Sequence, residues 1–229
     1  TMTAATVGGT TRKDTATATA ATLETLLKAD GEATGEDAAA ARTLDNAWHG
    51  AEALHFFLLA QRQLYDGQID AAMKTSLRLA NYEDILEPKD IYSLIALTAF
   101  YNQYYAQASR AFIKLESLAS LSDKDREAYR DLGLSIFISH SPVDPGSRTY
   151  PCPNRDCSSS VHDWDTSCMK CGTKFQGCVM TGRAILDSNY FRCRTCRHKA
   201  YKTELRSQKN CALCHAPLGR PTAGAGGAM

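Results

Sequence analysis

The placement of the nine cysteines constrains this chain more than any other feature, because all of them lie between residues 152 and 214. Eight form four close pairs along the sequence, and Cys178 is left over. Three pairs have the spacing C-x-x-C, and the first has the spacing C-x4-C. A C-x-x-C turn directs two sulfur atoms to one side of a tight loop, where both can bind one metal ion. The pairs are Cys152 with Cys157, Cys168 with Cys171, Cys193 with Cys196, and Cys211 with Cys214.

Two such turns that fold back on each other make a tetrahedral site of four sulfurs. Zinc suits this site because the ion is borderline-soft and imposes no geometry of its own. Ten residues separate the first two pairs and fourteen separate the last two, and both lengths let neighbouring turns meet. The odd number of cysteines and their spacing argue against disulfides. We therefore predict two structural zinc ions held by these eight cysteines, and no catalytic or other cofactor-binding residues.

The spacing leaves the grouping of the four cysteine pairs open. Sequential grouping joins the first pair to the second and the third to the fourth, whereas a cross-brace, as in RING domains, joins the first to the third and the second to the fourth. A RING needs only a couple of residues between its second and third pairs, but here twenty-one separate them, so sequential zinc ribbons fit better. Cys178 is interpreted as a buried thiol outside both sites. The alternative is that it replaces one of the ligands of the first site. We expect His162, His198 and His215 at the surface or behind the ligands.

Charge is divided unevenly along the chain. Residues 1–149 carry 14 Lys and Arg against 20 Asp and Glu, a net charge of −6, whereas residues 150–229 carry 12 against 5, a net charge of +7. Each zinc ion with four thiolates contributes −2, which leaves about +3 on the second part and argues against nucleic-acid binding. No stretch is long and apolar enough to span a membrane. Reduced cysteines favour a reducing compartment such as the cytosol, and a four-cysteine site has no open position for a catalytic water.

The first part of the chain changes character near residue 41. Residues 1–40 are rich in Ala, Thr and Gly and poor in large apolar groups, so we expect a disordered segment or linker there. From Arg42 the apolar residues follow helical spacing, with Trp48, His55 and Leu58 among those that share one face of the first helix. Breaks and caps along the sequence predict four further helices before Pro142.

These helices repeat with a period of 36 residues. Two helix hairpins at this period are typical of a degenerate tetratricopeptide array, although a small helical bundle would show the same stripes. We assign the tetratricopeptide-like repeats to residues 41–141. The offset of 36 places Phe56 on Tyr92, Leu58 on Leu94, Leu59 on Ile95, Ala72 on Ala108, Leu77 on Ile113, and Leu79 on Leu115.

The second part of the chain, residues 150–218, is assigned to a zinc-binding module with both four-cysteine sites, and residues 219–229 to a flexible tail. The module is too poor in large apolar residues for a conventional core, so metal binding would supply its folding energy. Short strands are predicted at 174–181 and 188–192. The predicted fold class is therefore mainly α, with tetratricopeptide-like hairpins followed by a small zinc-ribbon-type module with short β-hairpins. We expect the module to fold independently of the helices.

A set of stretches in both parts of the chain carries a resemblance to a known family: 81–86, Pro88 with 91–94, and 111–116 in the helices, and 178–183, 193–198 and 211–218 in the zinc region. Together they resemble the C-terminal end of a WD-repeat subunit of intraflagellar transport complex A, and most closely the smallest of those subunits. The resemblance covers roughly residues 42–218. Such subunits carry N-terminal propellers, then tetratricopeptide-like helices, then zinc-binding modules, so we expect this chain to be a piece of a longer protein.

The resemblance implies a non-enzymatic scaffold with a role in protein interaction. Such subunits support retrograde transport along the ciliary axoneme and the entry of cargo into cilia. The resemblance also implies other complex A subunits and ciliary cargo or adaptors as partners. It further implies that the protein is located at the cilium or flagellum, the basal body and the cytoplasm. A RING-like ubiquitin ligase and a zinc-ribbon nucleic-acid-binding protein are the alternatives.

Overall fold

The computed structural model describes residues 35–218, with side chains from Ala47 onward. The predicted tail and most of the predicted linker lie outside these residues. The first helix begins at Gly35, so residues 35–40, which the composition predicts to be part of the linker, are helical. The run Ala38–Ala41 explains the earlier start, because alanine has the highest helix propensity. The contacts divide the chain into two units after Ala47, and the description below concerns the described residues of the second unit.

Within residues 35–218 the chain forms five α-helices and then four short strands. The helices are α1 (Gly35–Tyr65), α2 (Ile69–Arg78), α3 (Pro88–Tyr101), α4 (Tyr105–Ser117) and α5 (Asp123–Ser139). The strands are β1 (Thr149–Pro151), β2 (Ser160–His162), β3 (Tyr190–Arg192) and β4 (Lys199–Tyr201). β1 pairs with β2 and β3 with β4, both antiparallel. The predicted fold class is confirmed, whereas the strand predicted at 174–181 makes only isolated bridges.

The 36-residue repeat is visible in the backbone of the two helix hairpins. Gly67, between α1 and α2, has φ of 74°, and Gln103, between α3 and α4, has φ of 62°. The N–H of Gln68 donates to the carbonyl of Gln63 at 2.8 Å, and 36 residues later the N–H of Tyr104 donates to the carbonyl of Ala99 at 2.9 Å. The two hairpins therefore use the same turn, which closes each pair of helices in the same way.

Helix α5 begins a third unit of the repeat. Ser122 caps it, since its hydroxyl accepts the N–H of Asp125 at 3.1 Å. Lys89 of α3 lies 3.1 Å from Asp125 of α5, and Ser93 lies 3.0 Å from Tyr129. Both contacts join residues 36 apart, so α5 lies beside α3.

Most of the predicted repeat positions are buried in the helical core. Four of the six pairs related by the offset are buried at both positions: Phe56 and Tyr92, Leu59 and Ile95, Ala72 and Ala108, and Leu79 and Leu115. The other two pairs differ, because Leu58 is 63% exposed and Ile113 is 64% exposed. The repeat is therefore preserved at its central contacts and relaxed at its edges.

The predicted apolar face of α1 is not the face that packs on the other helices. α1 contributes Ala53, Phe56, Leu59 and Ala60 to the helical core. Trp48 instead lies with its ring centroid 6.1 Å from that of His198, and His55 lies 2.7 Å from the carbonyl oxygen of Val179. The helix is contacted on two sides, so one apolar stripe could not describe it.

The zinc region and the helices pack together in one unit, which argues against the expectation that the zinc module folds independently of the helices. Lys74 of α2 lies 3.0 Å from Asp163, with side chains only 15% and 11% exposed. Burial alone would lower the pKa of Lys74, but its hydrogen bonds to Asp70 and Asp163 outweigh that effect and raise the pKa. Trp164 meets Tyr104, which immediately precedes α4, edge to face with 5.7 Å between ring centroids. Residues of the zinc region therefore complete the packing of the array.

Candidate metal centres

The first cysteine cluster is made by the β1–β2 hairpin and the turn that follows it. The sulfurs of Cys152, Cys157, Cys168 and Cys171 all lie within 4.8 Å of one another. Cys152 Sγ is 3.7 Å from Cys171 Sγ, and Cys157 Sγ is 3.8 Å from Cys168 Sγ. A tetrahedral zinc site with Zn–S bonds of about 2.3 Å has sulfurs about 3.8 Å apart. The donor set therefore fits one zinc ion.

The second cluster brings together the third and fourth pairs. The sulfurs of Cys193, Cys196, Cys211 and Cys214 lie within 4.8 Å of one another. Cys193 Sγ is 3.6 Å from Cys214 Sγ, and Cys196 Sγ is 3.8 Å from Cys211 Sγ. All nine cysteines are free thiols. The structure thus groups the pairs in chain order, as a pair of sequential ribbons does and a RING cross-brace does not.

The three C-x-x-C turns share one backbone pattern. In the first, the N–H of Cys168 donates to the carbonyl of Thr173 at 2.9 Å, and the N–H of Gly172 donates to the carbonyl of Cys168 at 2.8 Å. The turns at Cys193 and Cys211 make the same two hydrogen bonds at 2.8–3.1 Å. The fifth residue of each turn has a positive φ, which is 70° at Gly172, 62° at Arg197 and 57° at His215. We call this pattern a knuckle turn.

The C-x4-C pair reaches the same sulfur geometry by a different route. The N–H of Cys152 donates to the carbonyl of Ser159 at 3.0 Å, and the N–H of Cys157 donates to the carbonyl of Asn154 at 3.0 Å. Tyr150 pairs with Val161 across the adjoining strands. The β1–β2 hairpin therefore replaces the knuckle turn, and it accommodates the two extra residues between the cysteines.

Hydrogen bonds and burial act on the thiols of each cluster in opposite directions. The Ser159 hydroxyl, 3.0 Å from Cys168 Sγ, lowers the pKa of Cys168, and the Thr173 hydroxyl, 3.1 Å from Cys171 Sγ, lowers that of Cys171. Burial raises the pKa of Cys152 to about 12. Four neighbouring thiols cannot all ionise without a cation, so a bound dication completes each cluster.

The cysteine outside the pairs lies outside both clusters. Cys178 is fully buried, and its sulfur accepts the N–H of Tyr201 at 3.4 Å. Among residues 47–218 neither cluster includes a histidine. His162 stacks on Trp164 at 4.4 Å between ring centroids, and His198 Nδ1 lies 2.9 Å from the carbonyl oxygen of Cys196.

Behind the second cluster, an ion pair joins the zinc region to α1. His198 Nε2 lies 3.7 Å from Glu52 Oε2, with side chains 15% and 19% exposed. Burial alone would raise the pKa of Glu52 and lower that of His198. The attraction between the two side chains outweighs burial, so the pKa of Glu52 is lowered and that of His198 is raised. The sequence analysis did not identify Glu52, because a lone acidic residue on a helix carries no signal of its partner.

The fold and the two clusters define a class of protein, a tetratricopeptide-type helical array joined to a zinc module with two four-cysteine sites. Residues 45–144 match a family model described as "IFT121-like, TPR repeats". Residues 176–219 match a second model, described as "IFT121, second zinc finger domain". The chain belongs to the IFT121 family. The zinc-finger match and the two clusters confirm zinc as the cofactor.

Curated relatives agree with this assignment. The chain is 43% identical over 179 residues to WD repeat-containing protein 35 of Homo sapiens. The aligned residues make up 78% of this chain and 14% of the relative. It is 42% identical over 178 residues to the protein of the same name from Mus musculus. That alignment covers 77% of this chain and 14% of the relative. The chain therefore spans about a seventh of the length of these relatives. Among the described residues, no helix is both long and apolar enough to cross a membrane.

Proposed function

We propose that this chain is a non-enzymatic scaffold and protein-interaction part of a subunit of intraflagellar transport complex A. In this role it supports retrograde transport and the entry of cargo into cilia. Its partners are other complex A subunits and ciliary cargo or adaptors, and it acts at the cilium or flagellum, the basal body and the cytoplasm. The observation that carries the proposal is the match of both parts of the chain to the IFT121 family.

We further propose that the eight paired cysteines are the zinc ligands, in the two groups that the structure brings together. Support comes from sulfur separations of 3.6–3.8 Å, which fit tetrahedral zinc. Zinc here supplies folding energy and cross-links loops. With four cysteines on each ion no position is left for water or substrate, which supports a structural role. We keep 41–141 and 150–218 as the proposed extents of the array and the zinc module.

The two alternative functions have less support. A RING-like ubiquitin ligase needs cross-braced pairs, and here the pairs are grouped in chain order. A nucleic-acid-binding ribbon needs a strongly basic surface, and the charge of the zinc region falls to about +3 once two zinc sites are counted. A helical array with an attached rigid zinc module instead offers an extended surface for protein partners.

Affinity purification from ciliated cells tests the proposed function. The full chain carries a tag, and the co-purified proteins are quantified by mass spectrometry at two salt concentrations. We expect enrichment of complex A subunits over a tagged control in which Cys196→Ser and Cys211→Ser disrupt the second cluster. Enrichment of ubiquitin-conjugating enzymes would favour the RING alternative, and salt-sensitive recovery of RNA or DNA would favour the nucleic-acid alternative. Either result without complex A subunits would overturn the proposal.

A further inference from the structure

The segment after the first cluster contains a fourth knuckle turn. The N–H of Cys178 donates to the carbonyl of Arg183 at 2.8 Å, and the N–H of Gly182 donates to the carbonyl of Cys178 at 2.8 Å. Gly182 has φ of 75°, against 70° for Gly172 at the same place in the Cys168 turn. The backbone therefore has the form of a zinc-binding turn. In its sequence, C-x-x-T-G replaces the C-x-x-C-G of the Cys168 turn.

This turn lacks the ligands that the other three supply. Thr181 occupies the position of the second cysteine, and its hydroxyl oxygen is buried without a hydrogen-bond partner. The sulfur of Cys178 accepts a backbone N–H from Tyr201 at 3.4 Å, and the residue is packed among the apolar side chains of β4 and its neighbours. A single thiol with no second pair opposite it cannot complete a zinc site.

The carbonyl groups of the turn face helices α1 and α2 instead. His55 Nε2 donates to the carbonyl of Val179 at 2.7 Å, which requires the proton on Nε2 because a carbonyl only accepts. Gln63 Nε2 donates to the carbonyl of Thr181 at 3.3 Å, and the Thr75 hydroxyl lies 3.1 Å from the same oxygen. These contacts join residues more than 100 positions apart in the sequence.

Arg78 is the centre of this contact. Its guanidinium donates from Nε to the carbonyl of Gly182 at 3.0 Å and from Nη1 to that of Phe175 at 3.2 Å. The side chain is only 3% exposed and lies 5.8 Å from the centroid of the Phe56 ring. Burial lowers the pKa of Arg78. A buried cation is costly without partners, and the carbonyls of Phe175 and Gly182 partner Nη1 and Nε, while Nη2 is buried without a hydrogen-bond partner.

Two glycines allow the backbone of the zinc region to approach this closely. A Cβ at position 182 would lie 2.1 Å from the hydroxyl oxygen of Thr75. A Cβ at position 177 would lie 2.7 Å from Nε of Arg78 and 2.8 Å from Cζ of Phe56. Any larger residue would push the turn away from the helices. The surface of α2 and the turn therefore match each other in shape as well as in hydrogen bonding.

We infer that residues 178–183 are a knuckle turn that holds no metal and instead docks the zinc region onto α1 and α2, with Arg78 as the buried cation of the contact. The docking is independent of the partners proposed above. It makes the helical array and the zinc region one cooperative unit. The region between the two clusters is thus an interface within the chain.

The first test asks whether the turn holds metal. Cys178→Ala in the full chain should keep two zinc ions, measured by elemental analysis of protein purified without added zinc. Cys168→Ala, in a knuckle turn of the first cluster, is the matched control and should lower the content to about one. Loss of an ion from Cys178→Ala would overturn the inference, because the turn would then be a ligand turn.

The second test asks whether the turn docks through Arg78. In Arg78→Gln the amide hydrogens of residues 176–184 and of α2 should exchange roughly tenfold faster or more, since hydrogen bonds from a charged group to buried carbonyls are lost. Zinc content should stay at two. Arg110→Gln, an exposed arginine on α4, is the control. Equal exchange in the two variants would overturn the inference. If Arg78→Gln fails to fold, Thr75→Val, which keeps the side-chain shape, replaces it in the comparison with Arg110→Gln. We then expect a smaller increase in the exchange rate of the same amide hydrogens.

Discussion

The cysteine sulfurs of the zinc region differ in whether they require a metal ion. The clustered sulfurs lie 3.6–3.8 Å from a neighbour and repel one another when ionised, so each group of four requires a cation. The sulfur of Cys178 accepts one N–H, lies among apolar side chains, and requires none. One residue type therefore has two roles, and the surroundings decide which one it takes.

Zinc content should respond to a change in either cluster. Cys196→Ser removes one thiolate from the second cluster, and the remaining ligands should hold zinc poorly. We expect elemental analysis to find about one ion per chain where the wild type has two, with the loss confined to the second cluster. Ser207→Ala, at an exposed position between the third and fourth pairs, is the control and should keep both ions. A variant that retains two ions would show that Cys196 is not a ligand.

Two buried glycines should respond in opposite directions to alanine. At Gly133 of α5 the new Cβ would lie 3.7 Å from Phe112, an ordinary contact, so Gly133→Ala should stabilise the chain by about 0.5–1 kcal/mol through helix propensity. At Gly177 the Cβ would lie 2.7 Å from Arg78 Nε, so Gly177→Ala should destabilise it by about 1–3 kcal/mol through overpacking. Thermal and urea unfolding measure both. Equal effects of the two substitutions would contradict the packing described.

Among the helices, the two hairpins share the same turn conformation but have different residues at its positive-φ position. The turn between α1 and α2 has Gly67 with a positive φ, and the turn between α3 and α4 has Gln103 at the same place. Both positions need the left-handed conformation, which is easy for glycine and costs other residues about 1 kcal/mol or more. The second hairpin therefore carries strain that the first avoids.

Exchange of residue types between the two turns should shift stability in a defined direction. Gln103→Gly should stabilise the chain by up to about 1 kcal/mol, and Gly67→Ala should destabilise it by about 1 kcal/mol. Gly146→Ala is the control, because its Cβ would meet open space and its φ is not positive. Urea unfolding of the three variants provides the comparison. Destabilisation by Gln103→Gly would show that the glutamine side chain, and not the backbone, holds the turn.

At the scale of the whole molecule, α1 and α2 link the array to both ends of the zinc region. Lys74 contacts Asp163 beside the first cluster, Arg78 contacts the turn at 178–183, and Glu52 contacts His198 beside the second cluster. The side chains in these three contacts are polar and mostly buried. Separation of the zinc region from the helical array would leave them without their partners. Stability of the helices should therefore depend on the metal.

Removal of zinc should affect the helices as well as the zinc region. With a chelator, we expect α1 and α2 to exchange amide hydrogens faster and the helical circular dichroism signal to fall with the loss of metal in one transition. α4 and α5 should respond less, because fewer of their contacts involve the zinc region. Addition of zinc in excess of the chelator is the control and should restore both signals. Helices that keep full protection without zinc would contradict the coupling.

Local sequence patterns predicted the helices, the 36-residue repeat and the four cysteine pairs, whereas the grouping of the pairs stayed open until the fold brought their sulfurs together. Helical periodicity, turn residues and C-x-x-C spacing depend on residues that are near one another in the chain, and these predictions succeeded for that reason. The fold was needed to show which face of α1 is buried, why Arg78 and Gln63 are buried on helices, and that the turn at Cys178 contacts both of them. Arg78 and Gly182 are 104 positions apart, and local sequence patterns do not encode such contacts. The partner of a buried polar side chain is chosen by packing between distant segments, which the fold alone brings together.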